Sequence, residues 1–148
     1  MTIQKIKLQM IKEASAIYTQ ETITTPTDIV KLVNSYEEYN LSPTEKIILI
    51  GLNTKNQVNI YTEIASGAPG YANFKTSDLF KPLLLSNSSK FILVHNHPSG
   101  DATPSKEDKD ITAKVKTSAL LMGLTLLDHI VIGDNSYASV LNSIEEVK

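Results

Sequence analysis

The residues best suited to chemistry lie close together, between His95 and Asp108. His95 and His97 stand two apart at the end of an apolar run, Phe91 to Val94. An extended chain has a period of two, so both imidazoles point to the same side and can converge on one ion. Asp108 follows shortly after Pro104, a residue that opens helices, and a carboxylate one turn into such a helix can swing back toward the two rings. Three protein ligands with a fourth position left to water is the arrangement of a catalytic zinc site rather than a structural one, because the open position is where chemistry happens. Taken singly, each residue has a plainer explanation, such as a solvated loop histidine or an aspartate at the positive end of a helix. The combined pattern, His-x-His-Pro, six residues, Ser, two residues, Asp, is what points to a metal. The contiguous letters His95-Asn96-His97 are not the nuclease motif named for the same residues, which is spread over a longer ββα unit.

The elements that must position these residues follow from periodicity and punctuation. Met1 to Met10 alternates apolar and polar residues, which predicts a half-buried strand. Thr25-Pro26-Thr27-Asp28 supplies a cap, a proline at the first helical position and an acidic first turn, so a helix carrying Ile29, Leu32, Val33 and Tyr36 should begin there and end before Pro43. Lys46 to Leu52 and Val58 to Ala65 are β-rich runs joined by Asn53-Thr54-Lys55-Asn56, which predicts a hairpin. Asp78 to Leu85 reads as a helix in spite of Pro82, and Phe91 to Val94 as a short strand. Thr103-Pro104 should open a long helix burying Ile111, Val115, Ala119 and Met122, with Gly123 as its stop. Leu124 to Ile132 and Tyr137 to Val140 complete the strands, on either side of a turn at Gly133-Asp134-Asn135-Ser136. Strands and helices mixed in this way indicate an α/β or α+β domain with a mixed, largely antiparallel sheet flanked by helices.

Composition limits the chemistry further. The 148 residues suit one domain, read here as an N-terminal strand and extension over 1–24 and a core over 25–148. Cysteine is absent, which removes disulfides and thiolate metal sites and leaves histidine, carboxylate and water as ligands. No run approaches the ~20 apolar residues of a membrane span, so the expectation is a soluble, cytoplasmic protein without a membrane partner. The formal net charge is -2, and all 14 basic residues are lysine. Arginine is the usual bidentate reader of guanine and phosphate, so any DNA binding should be weak and not sequence-selective.

These motifs resemble a known family. His95-x-His97-Pro98, Ser105 and Asp108 match the JAMM metal motif of JAB/MPN-domain metallopeptidases. The fuller His95-Asn96-His97-Pro98-Ser99-Gly100-Asp101, with Pro104-Ser105, Leu127-Asp128-His129-Ile130-Val131-Ile132-Gly133 and Tyr137-x-Ser139, is similar to the RadC branch. The likeness covers nearly the whole chain after Ser42 and, more weakly, the part before it. It implies a JAB/MPN-like fold in which His95, His97 and Asp108 are zinc ligands and Ser105 stabilises the developing oxyanion. It also implies a glutamate at the start of an early strand that holds the attacking water. By position that glutamate is Glu45, with Glu63 as the competitor. A carboxylate so placed can take the proton of the water and pass it to a leaving amine. The helical N-terminal region of many longer RadC proteins has no counterpart here, so the resemblance is to a stand-alone catalytic module. The arginine that the family usually carries ahead of its second helix is likewise missing from Lys75-Thr76-Ser77-Asp78.

The implied activity is zinc-dependent hydrolysis of a peptide or isopeptide bond in a peptide or protein substrate. Two rivals come from other classes. One is a DNA-repair-associated accessory protein, as the historical label of the RadC family suggests, and the other is a non-catalytic scaffold, which the complete ligand set disfavours. Asp128 and His129 are adjacent in a strand and must face opposite sides. His129 is read as a packing or outer-shell residue, since a fourth protein ligand would close the site.

Overall fold

Two apolar runs organise the molecule. In a computed structural model, which describes residue 7 and residues 22–36, 42–67 and 74–145, they form β1 (Glu45–Leu52) and β3 (Lys90–Asn96). Both are buried nearly end to end. Strands covered on both faces need no polar alternation, which is why the two read as continuous runs. β1 pairs antiparallel with β2 (Val58–Gly67) and with β3, β3 pairs parallel with β4 (Thr125–Ile132), and β4 pairs antiparallel with β5 (Tyr137–Ser139). The result is a five-stranded sheet in the order β2-β1-β3-β4-β5. This is the mixed, largely antiparallel sheet of a small α+β domain. The expected strand over Met1 to Met10 lies outside the described residues.

Helices cover both faces of the sheet. On one face, α1 (Pro26–Tyr36) sets Ile29, Leu32 and Val33 against Ile48, Ile50, Ile92, Val94 and Ile130. On the other, α2 (Thr76–Leu85) and α3 (Lys106–Leu121) set Leu79, Leu83, Val115 and Ala119 against Ile47, Leu49, Phe91 and Leu93. α1 begins at Pro26 as expected, and the Asp28 carboxylate accepts from the backbone amides of Thr24 at 3.0 Å and Thr25 at 2.7 Å.

Several boundaries differ from the sequence reading. α2 starts at Thr76 rather than Asp78, and Pro82 sits inside it. α3 does not begin at Pro104. Ser105 is its N-cap, in a capping box with Asp108, and this reciprocal pair outcompetes the proline as the start of the helix. Met122 is not on the buried face, because the helix ends at Leu121 and Met122 serves as an exposed C-cap. Val140 leaves the last strand to open a short helix, α4 (Val140–Glu145), which the sequence reading missed. Six residues are too few to show a helical period, and the clearest local sign is Ser139, whose hydroxyl accepts from the Asn142 amide at 3.2 Å.

Candidate metal centre

The register of β1 on β3 brings the first two site residues together. Ile47 stands opposite His95, so Glu45 extends past it on the same face of the sheet, and Glu45 Oε1 lies 2.6 Å from His95 Nε2. These residues are 50 apart in the chain. Both are buried, with relative exposures of 6% and 2%. Glu63 goes elsewhere, to an ion pair with Lys46 Nζ at 3.3 Å at the partly exposed surface. The structure therefore sets Glu45, not Glu63, against the histidines.

His97 follows directly after β3. Its Nδ1 donates to the Asp101 carbonyl at 2.7 Å, which fixes the ring and leaves Nε2 directed at Asp108 Oδ2, 3.5 Å away. Asp108, the third residue of α3, also brings Oδ1 to 3.2 Å from His95 Nδ1, although the alignment is not that of a hydrogen bond. The two imidazoles meet edge to face with centroids 4.6 Å apart. His97 is the most exposed of the four, so the site opens on its side.

The loop between His97 and Ser105 is held by backbone contacts. His97 N–H donates to the Ile132 carbonyl at 2.9 Å and Asp134 N–H to the Gly100 carbonyl at 3.1 Å. A Cβ on Gly133 would collide with that Gly100 carbonyl, and Gly100 has a φ of 82°. Two glycines thus let the loop bearing His97 sit directly on the β4–β5 turn.

Electrostatics bind the cluster. Burial alone would push the Asp108 carboxyl up, but the adjacent His95 and His97 rings and the hydrogen bonds from Ser105 outweigh this and hold it well below the usual carboxylate range. The Asp108 bond raises His97 against the opposing effect of burial, with the Asp101 carbonyl assisting. Ser105 Oγ donates to Asp108 Oδ2 at 2.6 Å, and the Ser105 amide does so at 2.7 Å. The serine thus meets the Asp108 side chain as well as capping the helix.

Ligand atoms of Glu45, His95 and His97 all lie within 4.8 Å of one another, and Asp108 contacts both imidazoles. Nitrogen and carboxylate oxygen are donors that zinc and related divalent ions accept, so the residues fit a metal. Two neighbouring residues escaped the sequence reading. Asn96, between the histidines, accepts from the Lys46 amide at 2.8 Å and donates to the Thr44 carbonyl at 3.0 Å, clamping the backbone on both sides of Glu45. Thr112 bonds His129 Nδ1 at 2.6 Å beneath Asp108. Burial pushes His129 down to about 3. Nothing in the type of either residue announces this; only the strand register and the helix face bring them there.

A five-stranded mixed sheet with helices on both faces, bearing a Glu-His-His-Asp cluster at one end, is the architecture of a JAB/MPN-like domain. Residues 23–145 match the family described as RadC-like JAB domain, and the chain belongs to that family. It is similar to a UPF0758 protein of Clostridium perfringens, 39% identical over 122 residues, which is 82% of this chain and 53% of the relative. It is also similar to UPF0758 proteins of Clostridium botulinum (strain Alaska E43), 42% identical over 118 residues with 80% and 51% covered, and of Carboxydothermus hydrogenoformans, 42% identical over 96 residues with 65% and 42% covered. The chain thus spans about half the length of the curated relatives it matches. Among the described residues no helix is long and apolar enough to cross a membrane.

Proposed function

We propose that this domain is a zinc-dependent hydrolase of amide or isopeptide bonds. His95, His97 and Asp108 would hold the ion, Glu45 would act as general base and Ser105 as oxyanion donor. The observation that carries the reading is the burial of the Glu45 carboxylate against His95, fifty residues away in the chain, at 2.6 Å. A bound zinc would supply a Lewis acid and lower the pKa of its water toward ~7. Glu45 would take the proton of the attacking water and pass it to the leaving amine, holding it meanwhile in a site screened from solvent. The Ser105 hydroxyl, which here donates to Asp108, would turn its proton to the oxyanion. The buried clamp of Asn96 keeps Glu45 from swinging away from the ligands.

Zinc content and turnover of isopeptide and peptide reporters test the assignment together. The wild type should hold about one zinc per chain, and His97→Ala and Asp108→Ala should lose it at limiting metal. Glu45→Gln should keep the metal yet lose roughly a hundredfold to ten-thousandfold in rate, the usual cost of removing a general base. Loss of zinc from Glu45→Gln would make Glu45 a ligand, which the 4.8 Å grouping with His95 and His97 also allows. A wild-type rate in that variant would overturn the mechanism.

A further inference from the structure

His129 is fully buried on β4, its ring tilted over His95 with centroids 5.7 Å apart. Its Nδ1 lies 2.6 Å from Thr112 Oγ1, and that hydroxyl donates to the Asp108 carbonyl at 2.5 Å. A threonine hydroxyl has one proton. With that proton given to the carbonyl, the oxygen can only accept from His129, so the ring carries its proton on Nδ1 and leaves Nε2 bare. Among the described residues Nε2 has no hydrogen-bond partner.

Threonines in helices often bond the carbonyl four residues back, so that contact alone would carry little weight. The second bond, to a buried histidine on the neighbouring strand, is what sets Thr112 apart. A buried unpaired nitrogen costs roughly 1–3 kcal/mol, and an apolar pair of similar shape would fill the space without that cost. Stability therefore does not account for the two residues, whereas their position does. They link β4 to the backbone of Asp108, whose carboxylate meets both His95 and His97.

We infer that Thr112 and His129 are positioning residues for the metal centre, a neutral strut that pins the first turn of α3 to β4 and so sets where the Asp108 carboxylate stands. The inference rests on the reading of His95, His97 and Asp108 as ligands. Outer-shell partners of this kind are typically worth ~10–100-fold in metal affinity.

The test is zinc affinity measured by competition with a chelating indicator, for the full chain and its variants. Thr112→Val, which keeps the shape and removes the hydroxyl, should bind about 10–100-fold more weakly, and Thr112→Ser should stay within about threefold of wild type. A role in packing alone predicts the reverse order, since serine discards the methyl and valine keeps it. Should Thr112→Val not fold, His129→Asn, whose amide can reach the place of Nδ1, and His129→Leu, which cannot donate, give the same comparison. Wild-type affinity in Thr112→Val or in His129→Leu, or a greater loss in Thr112→Ser than in Thr112→Val, would overturn the strut. Failure of the wild type to bind zinc, or retention of zinc by Asp108→Ala, would instead overturn the ligand assignment and the strut with it.

Discussion

Asn96 shows how much of a site can rest on a residue that does no chemistry. It is 1% exposed, and its amide satisfies the Lys46 N–H and the Thr44 C=O on either side of Glu45. Asn96→Ala removes both partners at once. Leaving a buried backbone group unsatisfied costs roughly 1–3 kcal/mol, so the variant should lose on the order of 2 kcal/mol of stability in urea unfolding and, on the proposed function, more hydrolytic rate than zinc affinity. Equal losses of rate and zinc affinity would place Asn96 with the ligands instead of with Glu45. The sequence disclosed this region unevenly. His95, His97, Ser105 and Asp108 fall within one short stretch whose spacing is itself the signal, and the structure brings all four into contact. Glu45 was reachable only through family resemblance, because no local pattern marks a partner fifty residues distant. Asn96 and Thr112 act through backbone groups that no side-chain motif records.

At the scale of elements, the loop from His97 to Ser105 and the β4–β5 turn form one unit through Gly100 and Gly133. Gly133→Ala would drive a methyl into the Gly100 carbonyl, a backbone atom that cannot turn aside. The loop must then lift, carrying His97 away from Asp108. The expected outcome is a loss of about 1–3 kcal/mol in stability, as for other overpacked sites, together with weaker zinc binding. Alanine at the neighbouring Asp134 should leave zinc binding near the wild-type value, since its backbone makes the contact to Gly100; an equal loss in both variants would refute the glycine argument. Most of these elements were legible, the hairpin and α1 nearly to the residue, because continuous apolar runs and a Thr-Pro-x-Asp start are strong local signals. Helix α3 was misplaced by the attraction of Pro104, and α4 was invisible because so short a segment is decided by what it packs against.

Over the whole molecule, charge dictates the response to pH and salt. His129 is enclosed beside His95, His97 and Asp108, and burial holds its folded value at about 3, below the ordinary 6.5. Its contribution to stability is therefore complete above about pH 6.5 and is lost as pH falls toward about 3, because the unfolded chain takes up a proton that the native one refuses. Asp108, also lowered, adds to this loss only below its unfolded value of 3.8, whereas the raised His97 works oppositely, stabilising below 6.5 and losing that contribution as pH rises through its folded value. Each unit of difference is worth about 1.4 kcal/mol, so metal-free protein should lose a few kcal/mol between pH 6.5 and 4, and His129→Asn should flatten the curve. An unchanged slope in that variant would assign the acid sensitivity to other groups. The same reasoning applied to the 14 lysines, the missing arginine and the net charge of -2 predicts weak DNA binding without sequence preference. Tight, sequence-selective binding at physiological salt would contradict it and favour the accessory-protein reading.

Asp108 meets His95 and His97 only when the capped start of α3 is set against the end of β3. The unfolded polypeptide holds no such arrangement and is a poor ligand, so on the proposed reading zinc selects the folded form by mass action. Free metal at a hundredfold over its dissociation constant would add about 2.7 kcal/mol to the stability of the domain. Proteases that sample the open chain would then degrade metal-starved copies faster than loaded ones. The abundance of this protein in a cell would thereby track its zinc supply, with no regulator other than turnover.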